Sequence, residues 1–159
     1  MDRDINKILE LTKEIRIPLS VTFELTYNCN FNCVYCYQTP SKNRIQELSF
    51  FKITKILDVL KKNGCIYLKF TGGEPLIRKD FEEIYNYAYD RNFKISISSN
   101  GSLIDENYLN LLRKNKPELI NISLYGATNK TYYNFTNTKN SWTITKNNIL
   151  NLIKSNIKV

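Results

Sequence analysis

Residues 19–25 alternate strictly, with Leu19, Val21, Phe23 and Leu25 on one side and Ser20, Thr22 and Glu24 on the other. A period of two is that of a β-strand with one apolar face. A different rhythm follows in residues 50–60, where Phe50, Ile53, Ile56, Leu57 and Leu60 recur on one helical face and Asn63-Gly64 supplies a stop. The two rhythms then take turns. Strands are predicted at residues 66–70, 93–98 and 120–124, and helices at residues 81–89, 105–114, 128–134 and 143–155. Asp80 stands where it would cap the helix beginning at Phe81. Ile157-Lys158-Val159 reads as the opening of a fifth strand, and residues 4–16 carry a weaker helical pattern through Ile5, Ile8 and Leu9.

Strands alternating with helices predict an α/β fold of βα units, with a parallel sheet and right-handed crossovers. A closed eight-unit barrel takes about 250 residues. The 159 residues here accommodate about four βα units plus the start of a fifth strand, a partial TIM-like barrel. The expected division is an N-terminal helical extension, residues 1–17, and a core domain, residues 18–159, read as truncated because it stops three residues into a strand.

Parallel strands covered by helices on one side and a packed core on the other are apolar on both faces. These are not. Ser20, Thr22 and Glu24 share one face, as do Tyr67, Lys69 and Thr71 on the second strand. Lys94, Ser96 and Ser98 follow on the third, and Asn121, Ser123 and Tyr125 on the fourth. A sheet with one solvated side would read this way, and so would a barrel with a polar, ligand-holding interior. Crossover helices need the apolar face, so the polar face is expected inside. If the first two strands pair level, Glu24 and Lys69 lie side by side there and either form an ion pair or leave one of the two to reach solvent through the unfinished barrel.

Composition narrows the partners. No apolar run reaches the length of a membrane span, and the N-terminus lacks a signal peptide's apolar stretch and cleavage site, so a cytoplasmic protein without a membrane is expected. The formal charge is +8, yet no basic stretch with interleaved aromatics stands out, and nucleic acid is not the expected partner. The excess is uneven: residues 119–159 hold five lysines and no acidic residue.

There are four cysteines and no histidine. In a reducing compartment clustered cysteines read as metal or redox chemistry, and without histidine any metal must rest on thiolates. Cys29-Asn30-Phe31-Asn32-Cys33-Val34-Tyr35-Cys36 is a C-x3-C-x2-C loop directly after the first strand. Three thiolates on so short a loop suit three irons of a [4Fe–4S] cluster and leave the fourth iron open, whereas most such clusters take four cysteines. A zinc site with Cys65 as fourth ligand is the competing reading. Cys65 opens the second strand, at the end of a parallel sheet opposite the loop, and fits better as a small buried apolar residue.

Three further segments sit at predicted strand ends, where barrel enzymes keep their active sites. They are Thr71-Gly72-Gly73-Glu74-Pro75, Ser98-Ser99-Asn100-Gly101 and Ser123-Leu124-Tyr125-Gly126. The glycine pair permits close backbone approach, Glu74 can accept from an ammonium group, Pro75 stiffens the turn, and Asn100-Gly101 is a turn pair exposing backbone donors. With the cysteine loop and its aromatic residue before the third cysteine, these four segments in order resemble the radical S-adenosylmethionine (radical SAM) superfamily. The likeness covers nearly the whole chain from Leu19. It is closest to peptide-modifying members with a SPASM or twitch extension, through residues 123–137 and the Trp142 region.

The resemblance implies that Cys29, Cys33 and Cys36 bind a [4Fe–4S] cluster and that S-adenosyl-L-methionine chelates its open iron. It implies that Gly72, Gly73, Glu74 and Pro75 bind the methionine amino group. Ser98 and Asn100 would lie near the carboxylate and ribose, Ser123 on the cofactor side, and Tyr35 by the adenine. The implied reaction is reductive cleavage to a 5′-deoxyadenosyl radical that modifies a peptide or protein, with electrons from a flavodoxin or ferredoxin. No side chain is assigned as a catalytic acid or base. Two other classes remain open: a truncated, non-catalytic remnant, and a zinc or electron-transfer module.

Overall fold

The computed structural model describes residues 17–38 and 46–159, together with Lys7, Glu10 and Thr12, which are helical. The expected extension at residues 1–17 and the end of the cysteine loop at residues 39–45 thus lie largely outside the described residues.

Four strands form one parallel sheet in sequence order: β1 (Ser20–Thr26), β2 (Tyr67–Gly72), β3 (Lys94–Ser99) and β4 (Leu119–Ile122). Helices α1 (Phe50–Lys62), α2 (Phe81–Asp90) and α3 (Glu106–Lys114) connect them, and α4 (Asn129–Thr136) and α5 (Ser141–Lys154) follow β4. This is the predicted α/β half-barrel. Register aligns the apolar positions into rows: Phe23 lies opposite Phe70, Phe70 opposite Ile97, and Ile97 opposite Ile120. Against those rows pack Ile53 and Leu57 of α1, Phe81, Ile84, Tyr85 and Ala88 of α2, and Leu109 and Leu112 of α3, all buried. In α2 the spacing i, i+3, i+4, i+7 gives the stripe that a sheet-covering helix needs.

The polar face carries no such cover: Ser20, Thr22, Glu24, Tyr67, Lys94 and Asn121 are exposed. Glu24 and Lys69 do share it, but not one level. Register opposes Thr22 to Lys69 and Glu24 to Thr71, a slip of two residues from the expected pairing. No Glu24–Lys69 ion pair occurs among the described residues, and the Glu24 carboxylate instead accepts from the Tyr37 hydroxyl at 3.4 Å.

Two ends differ from expectation. Asp80 occupies the N-cap of α2 without a side-chain cap bond. Its carboxylate accepts from Arg78 Nε at 2.9 Å and Nη2 at 2.7 Å, a bidentate charged pair that outcompetes a neutral amide. Asp105 caps α3 as its position suggests, accepting from Tyr108 N at 3.0 Å. At the C-terminus Lys158 O accepts from Ile120 N at 2.9 Å, a single bond to β4, and residues 157–159 form no fifth strand. Among the described residues no helix is long and apolar enough to cross a membrane.

Candidate functional site

All four predicted segments meet where the strands end. After β1 the chain runs on against the turn after β2: Gly73 N donates to Thr26 O and Glu74 N to Asn28 O, each at 2.8 Å. A Cβ at Gly72 would stand 2.3 Å from Thr26 O, and one at Gly73 2.3 Å from Asn28 O. The glycine pair is therefore required first by contact between two stretches of backbone. Both glycines also border the cavity described below.

The cysteine loop is fastened at its far side to α4. Asn32 N donates to Thr136 O at 3.2 Å and Val34 N to Phe135 O at 2.9 Å. The last carbonyls of a helix have no partner within it, and here loop amides satisfy two of them. At its near side, Asn30 Nδ2 donates to Ser102 Oγ at 2.8 Å, and Asn100 Nδ2 donates to Asn30 Oδ1 at 2.8 Å.

The loop so held presents Cys29, Cys33, Cys36 and Tyr35 to a cavity of about 300 Å³. The opposite wall carries Ser98 near the end of β3, Asn100 just after it, and Ser123 after β4. All three thiols are free. Burial pushes the Cys29 thiol up, and Glu74's charge adds to this, while hydrogen bonds from Phe31 N and the Asn100 side chain oppose it. Burial likewise raises Cys33, with the neighbouring cysteines as a second cause. Cys65 is buried at the other end of the sheet, its Sγ 3.6 Å from Leu19 O and 3.5 Å from Tyr67 O. It is far in the fold from the three loop cysteines and cannot complete a site with them.

Two expected contact residues face elsewhere. Glu74 is fully buried, and its carboxylate accepts from Leu76 N (3.1 Å), Ser99 Oγ (2.9 Å) and Asn100 N (2.7 Å). Burial holds this carboxyl above its ordinary range, with the three donors pulling the other way. It joins the turn after β2 to the turn after β3 and does not border the cavity; Pro75, also buried, begins the 3-10 turn Pro75–Ile77. The reason is local: with backbone paired to residues 26–28 on one side, the side chain after Gly73 turns inward.

Residues missed in the sequence also line the cavity. Phe135 stacks on Tyr125 at 4.4 Å and 11°, and lies 5.4 Å from the Tyr35 ring. Tyr125 belongs to the fourth segment, but nothing in the spacing of α4 singles out Phe135 from the neighbouring Tyr132 and Tyr133. Ser99 links Glu74 to Gly101 N, which donates to its hydroxyl at 2.9 Å. Beside the site, buried Arg78 donates to Leu25 O (2.8 Å) and Leu48 O (3.0 Å), besides its pair with Asp80. Glu47 accepts from Thr26 Oγ1 and from Asn28 Nδ2, so the chain returning from the cysteine loop is tied to the end of β1.

The radical SAM superfamily model matches residues 23–159. The chain is 32% identical over 132 residues to the antilisterial bacteriocin subtilosin biosynthesis protein AlbA of Bacillus subtilis, covering 82% of this chain and 30% of AlbA. It is 36% identical over 111 residues to the mycofactocin maturase MftC of Mycobacterium ulcerans, covering 70% of this chain and 30% of MftC. Thus it spans about three tenths of these curated relatives. Streptococcus suis SuiB, solved with S-adenosylmethionine, superposes with a TM-score of 0.77 at 19% identity, over 98% of this chain and 35% of SuiB. That likeness is one of fold; the family match and the curated relatives carry the assignment. The chain belongs to the radical SAM superfamily.

Proposed function

We propose that this chain forms the cofactor-binding core of a radical SAM enzyme, with Cys29, Cys33 and Cys36 holding a [4Fe–4S] cluster against S-adenosyl-L-methionine. The observation that carries this reading is the placement of three free thiols from one loop on the wall of the cavity bordered by the turns after β2, β3 and β4. The donor set fits the group. Each of three irons needs one thiolate, and the chain has no histidine and no fourth cysteine near the loop, which leaves one iron for an outside ligand. A structural zinc takes four protein ligands, and with Cys65 buried at the other end of the sheet the three loop thiols fall one short of that set. The cavity, about 300 Å³, is of the size small-molecule sites have.

Bound and reduced, the cluster and S-adenosylmethionine supply reductive sulfonium cleavage and hydrogen-atom abstraction from a substrate. The chain's own residues bind and orient. Ser98 and Ser123 hydroxyls have no protein hydrogen-bond partner among the described residues, and with the Gly72–Gly73 backbone they offer polar contacts to the methionine end and ribose. Tyr35, 79% exposed, and the stacked Tyr125–Phe135 pair offer aromatic faces to the adenine. Glu74 and Pro75 act by holding the turns. A peptide or protein is the substrate class we favour, since SuiB has been solved with its precursor peptide SuiA and AlbA serves bacteriocin biosynthesis. Electrons would come from a flavodoxin or ferredoxin in the cytoplasm.

Anaerobic reconstitution with iron and sulfide tests this. The expected product is a brown protein that, once reduced, converts S-adenosylmethionine to methionine and 5′-deoxyadenosine. Replacing Cys29, Cys33 or Cys36 by Ala should abolish iron uptake, while Cys65→Ala should retain it. Iron without cleavage would reassign the chain as a non-catalytic remnant. A colourless zinc protein would refute the cluster.

A further inference from the structure

Asn100 is held at every polar atom it has. Its main-chain N–H donates to Glu74 Oε2 at 2.7 Å, and its carbonyl accepts from Thr145 Oγ1 at 3.2 Å. A carboxamide has two N–H donors and an oxygen with two lone pairs. Here Oδ1 accepts from Ser102 N at 2.9 Å and from Ser102 Oγ at 2.7 Å. One Nδ2 hydrogen goes to Asn30 Oδ1 at 2.8 Å, and Nδ2 lies 3.9 Å from the Cys29 sulfur. The ring closes through Asn30 Nδ2, which donates to Ser102 Oγ at 2.8 Å.

The orientation of this amide is determined. Ser102 N is a main-chain donor and cannot reverse, so the atom facing it must be an acceptor. Oxygen therefore faces Ser102 and nitrogen faces Cys29. The same sulfur accepts from Phe31 N at 3.4 Å. No donor of the Asn100 side chain is left over, so a contact between that side chain and the methionine carboxylate or ribose would require breaking the ring.

We propose that Asn100 is a positioning residue for Cys29, its amide locked by Asn30 and Ser102 so that one N–H is directed at the sulfur and sets the reduction potential of the cluster bound there. The inference rests on the cluster reading above and deepens it. An N–H aimed at a ligating sulfur stabilises the negative charge added on reduction and so raises the potential. Asn30 and Ser102 serve by keeping the amide aimed.

The test is an anaerobic redox titration, followed by electron paramagnetic resonance without S-adenosylmethionine, of reconstituted wild-type protein, Asn100→Ala and Ser102→Ala. The expected result is a lower potential in Asn100→Ala and a smaller drop in Ser102→Ala, which keeps one of the two bonds to Oδ1. Loss of iron to a chelator should speed up about 10–100-fold in Asn100→Ala, the range for loss of a group that orients a metal ligand. If Asn100→Ala takes up no iron, the potential of Ser102→Ala decides. Potentials at or above wild type overturn the role of Asn100 while leaving the cluster reading intact. A wild-type chain that takes up no cluster overturns both.

Discussion

Replacing Glu74 by Ala removes a fully buried carboxylate that accepts from two main-chain amides and one hydroxyl. The Ser99 hydroxyl can rotate toward another acceptor; the Leu76 and Asn100 amides cannot. Each buried amide left unpaired costs about 1–3 kcal/mol, and the emptied volume adds to that. Against this, the desolvation of the carboxylate is relieved. The net expectation is a loss of about 3–5 kcal/mol, the range for breaking a buried charged arrangement from one side. For a chain of this length that lowers Tm by about 6–20 °C. Glu74→Gln keeps an oxygen for one set of donors but turns an NH2 toward the other, so it should lose less than Ala and more than nothing. Thermal and urea unfolding of the cluster-free protein measure both. Affinity for S-adenosylmethionine should fall only through disorder of the turns. An Ala variant within about 1 kcal/mol of wild type would refute the brace. So would an Ala variant of normal stability that fails to bind S-adenosylmethionine, because Glu74 would then be a direct contact.

Two further perturbations probe the neighbouring contacts. Gly73→Ala places a Cβ 2.3 Å from Asn28 O and must break the bonds from Gly73 N and Glu74 N to residues 26 and 28; a loss of about 2–4 kcal/mol is expected in urea unfolding, and a loss under 1 would mean the two backbones separate freely. Arg78→Met should cost about 3–5 kcal/mol at neutral pH by stranding Leu25 O, Leu48 O and Asp80. The Arg78 hydrogen bonds hold the Asp80 carboxyl below its usual range, so this stabilisation is present above the ordinary carboxylate pKa and is lost as pH falls through the lowered one. The gap between wild type and Arg78→Met should accordingly narrow in acid; a gap independent of pH would assign it to packing alone.

Periodicity made the elements and faces legible, because a strand's two-residue repeat states which side chains share a side. It does not state level. Glu24 and Lys69 were placed on the right face and two residues out of step, since the offset between β1 and β2 is set by how α1 and its flanking segments return the chain. Asp80 shows a second limit: cap position is local, but the side chain was claimed by Arg78, two residues away on the same turn. The cavity-lining cysteines, glycines and serines were legible as motifs at strand ends. Glu74 was legible as important and not as inward-facing, because its direction follows from the pairing of residues 72–74 with residues 26–28, a contact across more than forty residues of sequence. Phe135 was invisible for the same reason, since its place depends on the loop amides that dock on the end of α4.

These contacts bear on how the site is made ready. The turn after β3 is bonded to the turn after β2 through Glu74, to the cysteine loop through Asn30, and to α5 through Thr145 Oγ1 on Asn100 O and Asn148 Nδ2 on Gly101 O. The cysteine loop is bonded in turn to α4 and, through residues 26 and 28, to the glycine pair. Every one of these bonds joins protein to protein. The cavity wall therefore owes its shape to the folded chain, and ordering of the four segments is already accounted for in folding before anything binds. Binding to such a wall loses little conformational freedom, which is the condition under which a few polar contacts and stacked rings give useful affinity. The ordering comes at a cost in dispersal: the residues responsible run from Thr26 to Asn148, so the site is sensitive to substitutions far from its cysteines in sequence.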